Sequence, residues 1–241
     1  MFTWTNNNTS IGLAASGTGN IASFTALNAT NAPVVATIVV TPSYTNGGVT
    51  CSGSPRTFTI TVNPIPTVAP VSNKAYCTGA TTQLIPFNGT PGSVYNWTNS
   101  NPAIGLAASG SGDIQPFVTT NATNGPLVAT ITVTPVAIGC SGTPITFTIT
   151  VNPRPIVNPV TGQVLCNGSP TAVINFTSPT TGPTAALSFQ WTNSAPSIGL
   201  AATGTGNIPS FIAVNTGLSP VTALVTVTPV YNNAGITCTG T

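Results

Sequence analysis

The chain reads as an all-β protein, a tandem array of antiparallel sandwich domains, and three observations predict this. Short apolar runs alternate with threonine at a period of two, as in "TFTITV" at 146–151, the mark of a half-buried strand. Proline and glycine number 23 and 24, turn words such as "NGGV", "TPGS" and "TTGP" separate the runs, and no apolar stripe of helical spacing has useful length. One aromatic-x-Trp-Thr-Asn word recurs as "FTWTN", "YNWTN" and "FQWTN", placing Trp4, Trp97 and Trp191 93 and 94 residues apart. That spacing is the size of a domain, too long for one coil of a solenoid.

A second repeated block sets the boundaries. "TFTITVNPIP" at 57–66 and "TFTITVNPRP" at 146–155 close a domain at Val-Asn-Pro. Division there gives a complete repeat at 65–153. A partial repeat at 1–64 precedes it, lacking the counterpart of 65–93, and a repeat at 154–241 follows, stopping at "CTGT" where a final "TFTITVNP" strand is expected. The 241 residues are therefore expected to be a window on a longer repetitive polypeptide, although a truncated expression product beginning at Met1 would read the same.

Within the complete repeat, strands are predicted near 67–72, 81–87, 94–99, 114–120, 128–134 and 145–152, with an irregular crossing at 100–113. In the last of these Phe147, Ile149 and Val151 share a core face, while Thr146, Thr148 and Thr150 face water. About seven short strands with a tryptophan on the third are the pattern of an immunoglobulin-like sandwich. One tryptophan at the same strand position of every repeat is what such a core needs, so Trp4, Trp97 and Trp191 are read as core residues.

The glycine-rich words "IGLAASGTGN" (11–20), "IGLAASGSGD" (104–113) and "IGLAATGTGN" (198–207) invite comparison with phosphate-binding loops. A Walker loop ends in Lys-Ser or Lys-Thr and a dinucleotide turn opens a helix; neither follows here. The words read as connections after the tryptophan strand, their Ile and Leu plugging the core edge and their glycines permitting unusual backbone angles.

Composition excludes most chemistry. The chain has three basic residues (Arg56, Lys74, Arg154), one acidic residue (Asp113) and no histidine. Charged residues are 2% of the chain, against about 25% ordinarily. General acid/base catalysis, paired-carboxylate glycoside hydrolysis and an activated serine or cysteine nucleophile all lack their parts. Calcium would need several carboxylates, and the cysteines lack the spacing of zinc knuckles. No catalytic, cofactor-binding or metal-binding residue is assigned. A Lys–Asn isopeptide cross-link assisted by Asp113 is disfavoured, because Lys74 is expected in a loop and neither flanking repeat has a lysine. A net charge of +2 without a basic cluster gives no footprint for nucleic acid. A surface solvated by Thr, Ser and Asn has little like-charge repulsion, so self-association with copies of the same repeat is expected.

The five cysteines recur in "CxG" words at matched places, Cys77 and Cys166 before the second strand, Cys51, Cys140 and Cys238 before the last. Such recurrence reads as a disulfide framework in an oxidising, extracytoplasmic setting. The simplest pairing is Cys77 with Cys140 and Cys166 with Cys238, leaving Cys51 unpaired by truncation. A staple between neighbouring repeats, Cys77 with Cys238, and free buried thiols are the alternatives. Bridged cysteines need Cα atoms within about 7 Å, and in simple up-and-down order the first pairing would join opposite ends of a sandwich. Residues 1–10 are no signal peptide, and the longest apolar stretch, around "APVVATIVV", is too short to span a bilayer.

Together the words "F-x-W-T-N", "SIGLAASGTGNIPSF", "CSGTPxTFTITVNPxP" and "CxG" resemble the PKD-like repeats of very large surface proteins of Bacteroidota, including gliding-motility adhesins and related proteins exported by the type 9 route. The likeness runs along the whole chain. It implies an immunoglobulin-like PKD sandwich, a tandem array at the extracellular cell surface and adhesive or structural duty. Ordinary PKD domains follow the strand tryptophan with an Asp-Gly-rich word of the type W-x-F-G-D-G, whereas this chain has "WTNSNP".

The expected function is thus a non-enzymatic extracellular segment that spans distance and adheres or self-assembles, its Val-Asn-Pro-x-Pro linkers stiffened by proline. The rival reading is a carbohydrate-binding sandwich that meets surface glycans or a substratum through exposed Trp4, Trp97 and Trp191.

Overall fold

A computed structural model describes residues 1–182 and 186–240. The protein is all-β, built of antiparallel sandwiches. Its strands are β1 (Phe2–Asn6), β2 (Ser16–Thr18), β3 (Val34–Asn46), β4 (Val49–Ser52), β5 (Arg56–Val62), β6 (Lys74–Cys77), β7 (Val94–Asn99), β8 (Ser109–Ser111), β9 (Leu127–Ala137), β10 (Cys140–Ser141), β11 (Ile145–Asn152), β12 (Leu187–Asn193), β13 (Thr203–Thr205), β14 (Val225–Asn233) and β15 (Ile236–Thr239). They form three sheets, one for each tryptophan word. The first has the order β2-β1-β3-β4 with β5 also on β3; the second β6-β11-β9-β7-β8 with β10 also on β9; the third β13-β12-β14-β15.

Two compact units emerge from the packing. One comprises Met1–Pro70, Phe87–Trp97 and Val133–Ile145, the other Val71–Pro86, Thr98–Thr132 and Thr146–Thr241. The first holds a core of Trp4, Ile11, Leu13, Ala36 and Ile38. The second includes a core of Phe176, Trp191, Leu200 and Ile208, with Val157, Ile174 and Phe211 packed against it.

Several strands fall where threonine alternation places them. The predicted strand 94–99 is β7, and 145–152 is β11, with Phe147 and Val151 buried on one face. Other expectations need correction. Segments 67–72, 81–87 and 114–120 are extended but make only isolated bridges, Val68 with Gly89, Thr81 with Val118 and Ile85 with Ile114. Their prolines, Pro70, Pro86 and Pro116, lack the N–H a continuous ladder requires. Lys74, expected in a loop, begins β6, which runs parallel to β11 with Ile149 opposite Lys74 and Asn152 opposite Cys77. The "irregular crossing" contains a 3-10 turn at Pro102–Ile104 and the short strand β8.

The glycine-rich words have two kinds of glycine. Gly12, Gly105 and Gly199 end the 3-10 turns in the left-handed region at φ 92°, 95° and 95°, where a side chain is strained. Gly17 and Gly204 have another reason to be glycine: they stand opposite Trp4 and Trp191 across the β1–β2 and β12–β13 ladders. A Cβ on Gly17 would lie 2.2 Å from Trp4 Cζ2, and one on Gly204 2.1 Å from Trp191 Cζ2. The indole occupies the space the side chain would need. In the first and third words the glycine thus seats the tryptophan.

The asparagine of the Trp-Thr-Asn word pins the connection that follows. Asn6, Asn99 and Asn193 are buried. Their Nδ2 atoms donate to the carbonyls of Leu13, Leu106 and Leu200 at 2.9, 2.9 and 3.0 Å. Their Oδ1 atoms accept from the backbone N–H of Asn8, Asn101 and Ala195 at 2.9, 2.9 and 3.1 Å. A buried amide with both ends satisfied holds a loop that has little regular structure of its own.

Candidate functional site at the repeat junctions

For a chain read as a spanning element, the places that matter are those where one sequence repeat passes to the next. Both Val-Asn-Pro-x-Pro junctions are built alike. Pro64 and Pro66 are buried while Ile65 between them is exposed, and Pro153 and Pro155 are buried while Arg154 is exposed. The linker prolines are packed against protein, so the junction is more than a stiff tether.

Asparagine supplies the polar half of each junction. In the first compact unit Asn63 Nδ2 donates to the carbonyl of Ile138 at 3.1 Å. In the second, Asn152 Nδ2 donates to the carbonyl of Asn233 at 3.1 Å, and Asn233 Nδ2 returns a bond to Asn152 Oδ1 at 2.9 Å. The acceptors sit at tight hairpin turns, between β9 and β10 and between β14 and β15. Both turns have two successive positive φ angles, 49° and 73° at Ile138–Gly139, 51° and 74° at Ala234–Gly235, as the twist of a two-residue hairpin demands. A β-branched residue in that region is strained, and Ile138 occupies it at the point where Asn63 docks.

The glycine of the "CxG" word completes the fit. Gly142 lies so close to the linker that a Cβ would be 1.7 Å from the Pro66 carbonyl oxygen, and at Gly240 it would be 1.9 Å from that of Pro155. Their N–H groups donate to the carbonyls of Pro135 and Pro229 at 2.9 Å in each case. Only glycine admits backbone this close.

The cysteines are arranged differently from the simplest expectation. Cys77 is bonded to Cys238, with Cα atoms 5.6 Å apart, whereas Cys51, Cys140 and Cys166 are free thiols. The pairings Cys77 with Cys140 and Cys166 with Cys238 are therefore not formed. The reason is the parallel pairing of β6 with β11. It sets Cys77 level with Asn152, at the end of the strand that enters the second junction. Cys140 belongs to the hairpin that precedes β11 and so lies at the strand's other end. Cys77 accordingly meets the β14–β15 hairpin of the following repeat.

Burial also bears on the sugar reading. Trp4, Trp97 and Trp191 are 8, 7 and 7% exposed, too enclosed to form a stacking platform. Their indole Nε1 atoms are buried without a hydrogen-bond partner among the described residues. Tyr231, on β14, is 1% exposed, and burial pushes its hydroxyl pKa above the ordinary 10.0. Among the described residues no group of three or more His, Cys, Asp or Glu could hold a metal ion, and no helix is long and apolar enough to cross a membrane.

Comparison with known proteins finds one family match within the chain. Residues 74–155 match the family model of the PKD-like domain. The matched segment begins at β6 and ends at the buried Pro155 of the second junction, and it supports a PKD/Ig-like repeat there. Among solved structures, the chain is similar to a three-immunoglobulin-domain fragment of titin (I67–I69, an E-to-A variant), at 11% identity over 100% of this chain and 86% of that one, TM-score 0.41. It is also similar to the FN1–FN3 domains of chicken CNTN1, at 12% identity over 98% and 85%, TM-score 0.30. A third likeness is to protocadherin gammaB7 EC3–6, at 12% identity over 99% and 67%, TM-score 0.38. No curated protein matches the chain.

Proposed function

We propose that this chain is a structural, non-enzymatic segment of a large extracellular surface protein, in which PKD-like repeats are joined end to end to span distance and to adhere or assemble into a filament. The repeats are 1–64, 65–153 and 154–241, and the surface protein is of the type 9-exported, gliding-adhesin kind that the repeat words resemble. The observation that carries the reading is the duplicated junction. Asn63 and Asn152, in equivalent Val-Asn-Pro words, dock on equivalent hairpin turns, and the second contact is stapled by Cys77–Cys238. A chain whose duty is reach needs joints that resist bending, and packed prolines, a glycine that admits the linker and a disulfide supply resistance. The oxidised cysteine pair favours an extracytoplasmic site. A surface almost without charge leaves neighbouring copies free to associate laterally.

Immunogold electron microscopy with antibodies raised against residues 65–153 tests the proposal on intact cells that make the protein. Label along threads or filaments outside the cell envelope is the expected result. Label that appears only after permeabilisation, with none on the surface, overturns it.

A further inference from the structure

The Cys77–Cys238 bond closes a loop that holds most of the chain. Its sequence separation is 161, so 160 residues, 78–237, lie between the two cysteines. Strands β7 to β14 all fall within that loop, with Trp97 and Trp191. Outside it remain 81 of the 241 residues, chiefly 1–76 with β1–β5. That outer segment has no bond of its own, because its one cysteine, Cys51, is a free thiol. Cys140 and Cys166 are free as well, so among the described residues no second bond subdivides the loop.

Tension in a polypeptide follows its covalent bonds. A pull that enters on the N-terminal side of Cys77 and leaves on the C-terminal side of Cys238 meets two routes, 160 residues of chain or a single S–S bond. The bond is the shorter, with Cα atoms 5.6 Å apart, so it takes the load and residues 78–237 stay slack. Both cysteines belong to the second compact unit, so both ends of this short route are fixed to one body. The strands left in the path are loaded along their length. β1 and β5 each run antiparallel to β3, with Phe2 opposite Pro42 at one end and Val62 opposite Val34 at the other. A pull on Phe2 and Val62 acts along strands whose hydrogen bonds lie perpendicular to it, and those bonds resist together.

We propose that Cys77–Cys238 is a load bypass whose redox state sets the reach of the chain. Oxidised, it confines extension to the 81 residues outside the loop. A thiol reductant opens it by exchange. The thiolate attacks the sulfur of Cys77, the more exposed of the pair, the S–S bond breaks, and Cys238 leaves as a thiolate that takes up a proton. A second thiol then resolves the mixed disulfide. The protein gains two thiols and the reductant becomes a disulfide, two electrons having passed. The 160 freed residues, at about 3.3–3.6 Å each, then add roughly 530–580 Å of extensible chain. The bypass rests on the spanning reading for its use only, since the load path follows from the covalent connection wherever the protein lies.

Single-molecule pulling of the full chain, held by thiol-free tags at Met1 and Thr241, tests the proposal. Without reductant the chain is expected to lengthen to no more than about 290 Å, and with dithiothreitol about threefold further. Cys238→Ser is expected to reach the longer length without reductant. If that variant does not fold, adding reductant to the unaltered protein already held under tension gives the same comparison. Equal lengths with and without reductant, or the longer length in the oxidised protein, overturn the proposal. Two separate smaller gains on reduction overturn it too, since bonds Cys77–Cys140 and Cys166–Cys238 would give that pattern. These lengths do not depend on where antibody label falls on cells, so the bypass and the cell-surface reading fail separately.

Discussion

Asn99 Nδ2 lies 2.9 Å from the carbonyl oxygen of Leu106, and both residues are buried. The bond spans a connection whose only regular structure is one 3-10 turn, so the amide substitutes for secondary structure. Asn99→Ala leaves the Leu106 carbonyl and the Asn101 N–H without their partner, and each such orphan costs about 1–3 kcal/mol. A loss of about 3 kcal/mol in urea unfolding is expected. A loss under about 1 kcal/mol would show that water replaces the amide and that the connection does not depend on it.

Trp191 and Gly204 set a second requirement. Gly204→Ala puts a methyl where the indole now lies, and overpacking of this kind costs about 1–3 kcal/mol. Destabilisation with red-shifted tryptophan emission is expected as the ring is pushed toward solvent. Unchanged emission and stability would mean that the ring is not held against this strand.

Cys77–Cys238 closes a sequence separation of 161 residues, which in chain-entropy terms corresponds to about 5 kcal/mol. Cys238→Ser leaves the second junction to the Asn152–Asn233 hydrogen bonds and the glycine–proline contact. Earlier urea unfolding and faster amide exchange at Ile236–Thr239 are expected, and the same change on reduction of the unaltered protein. Superimposable unfolding curves with and without reductant would refute this role.

With no histidine and one carboxylate side chain, stability should be flat between about pH 5 and 7, because almost nothing titrates there. Burial pushes the Tyr231 hydroxyl up, and pushes Tyr76 up against a smaller opposing effect of a backbone hydrogen bond with Gln83. The unfolded state therefore ionises first. The stabilising contribution is complete below the ordinary 10.0 and is lost as pH climbs through the raised folded values. Urea midpoints that hold to pH 9 and fall beyond 10 are expected, with tyrosinate absorbance rising as the chain unfolds. A midpoint unchanged to pH 12 would contradict burial of both rings.

Much of the fold was legible because strands announce themselves locally. The alternation in "TFTITV" placed β11, and the recurring Trp-Thr-Asn word located β1, β7 and β12. The asparagine in that word is equally repetitive, and its recurrence beside the tryptophan is the available signal for its role. Its role depends on a carbonyl seven residues away, and no local pattern names that partner. The glycines were read as turn formers, which holds for Gly12 and Gly199, while Gly17 and Gly204 are glycine because of an indole on another strand.

Sequence alone determined the all-β class, the repeat words and the poverty of catalytic groups, since each follows from residue type and spacing along the chain. Tertiary structure decided the disulfide and the junction. Cys77 finds Cys238 and not Cys140 because β6 lies parallel to β11, bringing the cysteine to the strand end where the next repeat's hairpin docks. Strand direction within a sheet is a non-local choice. The alternation of Lys74–Cys77 is the same whether its neighbour runs with it or against it, and only the packed sheet distinguishes the two.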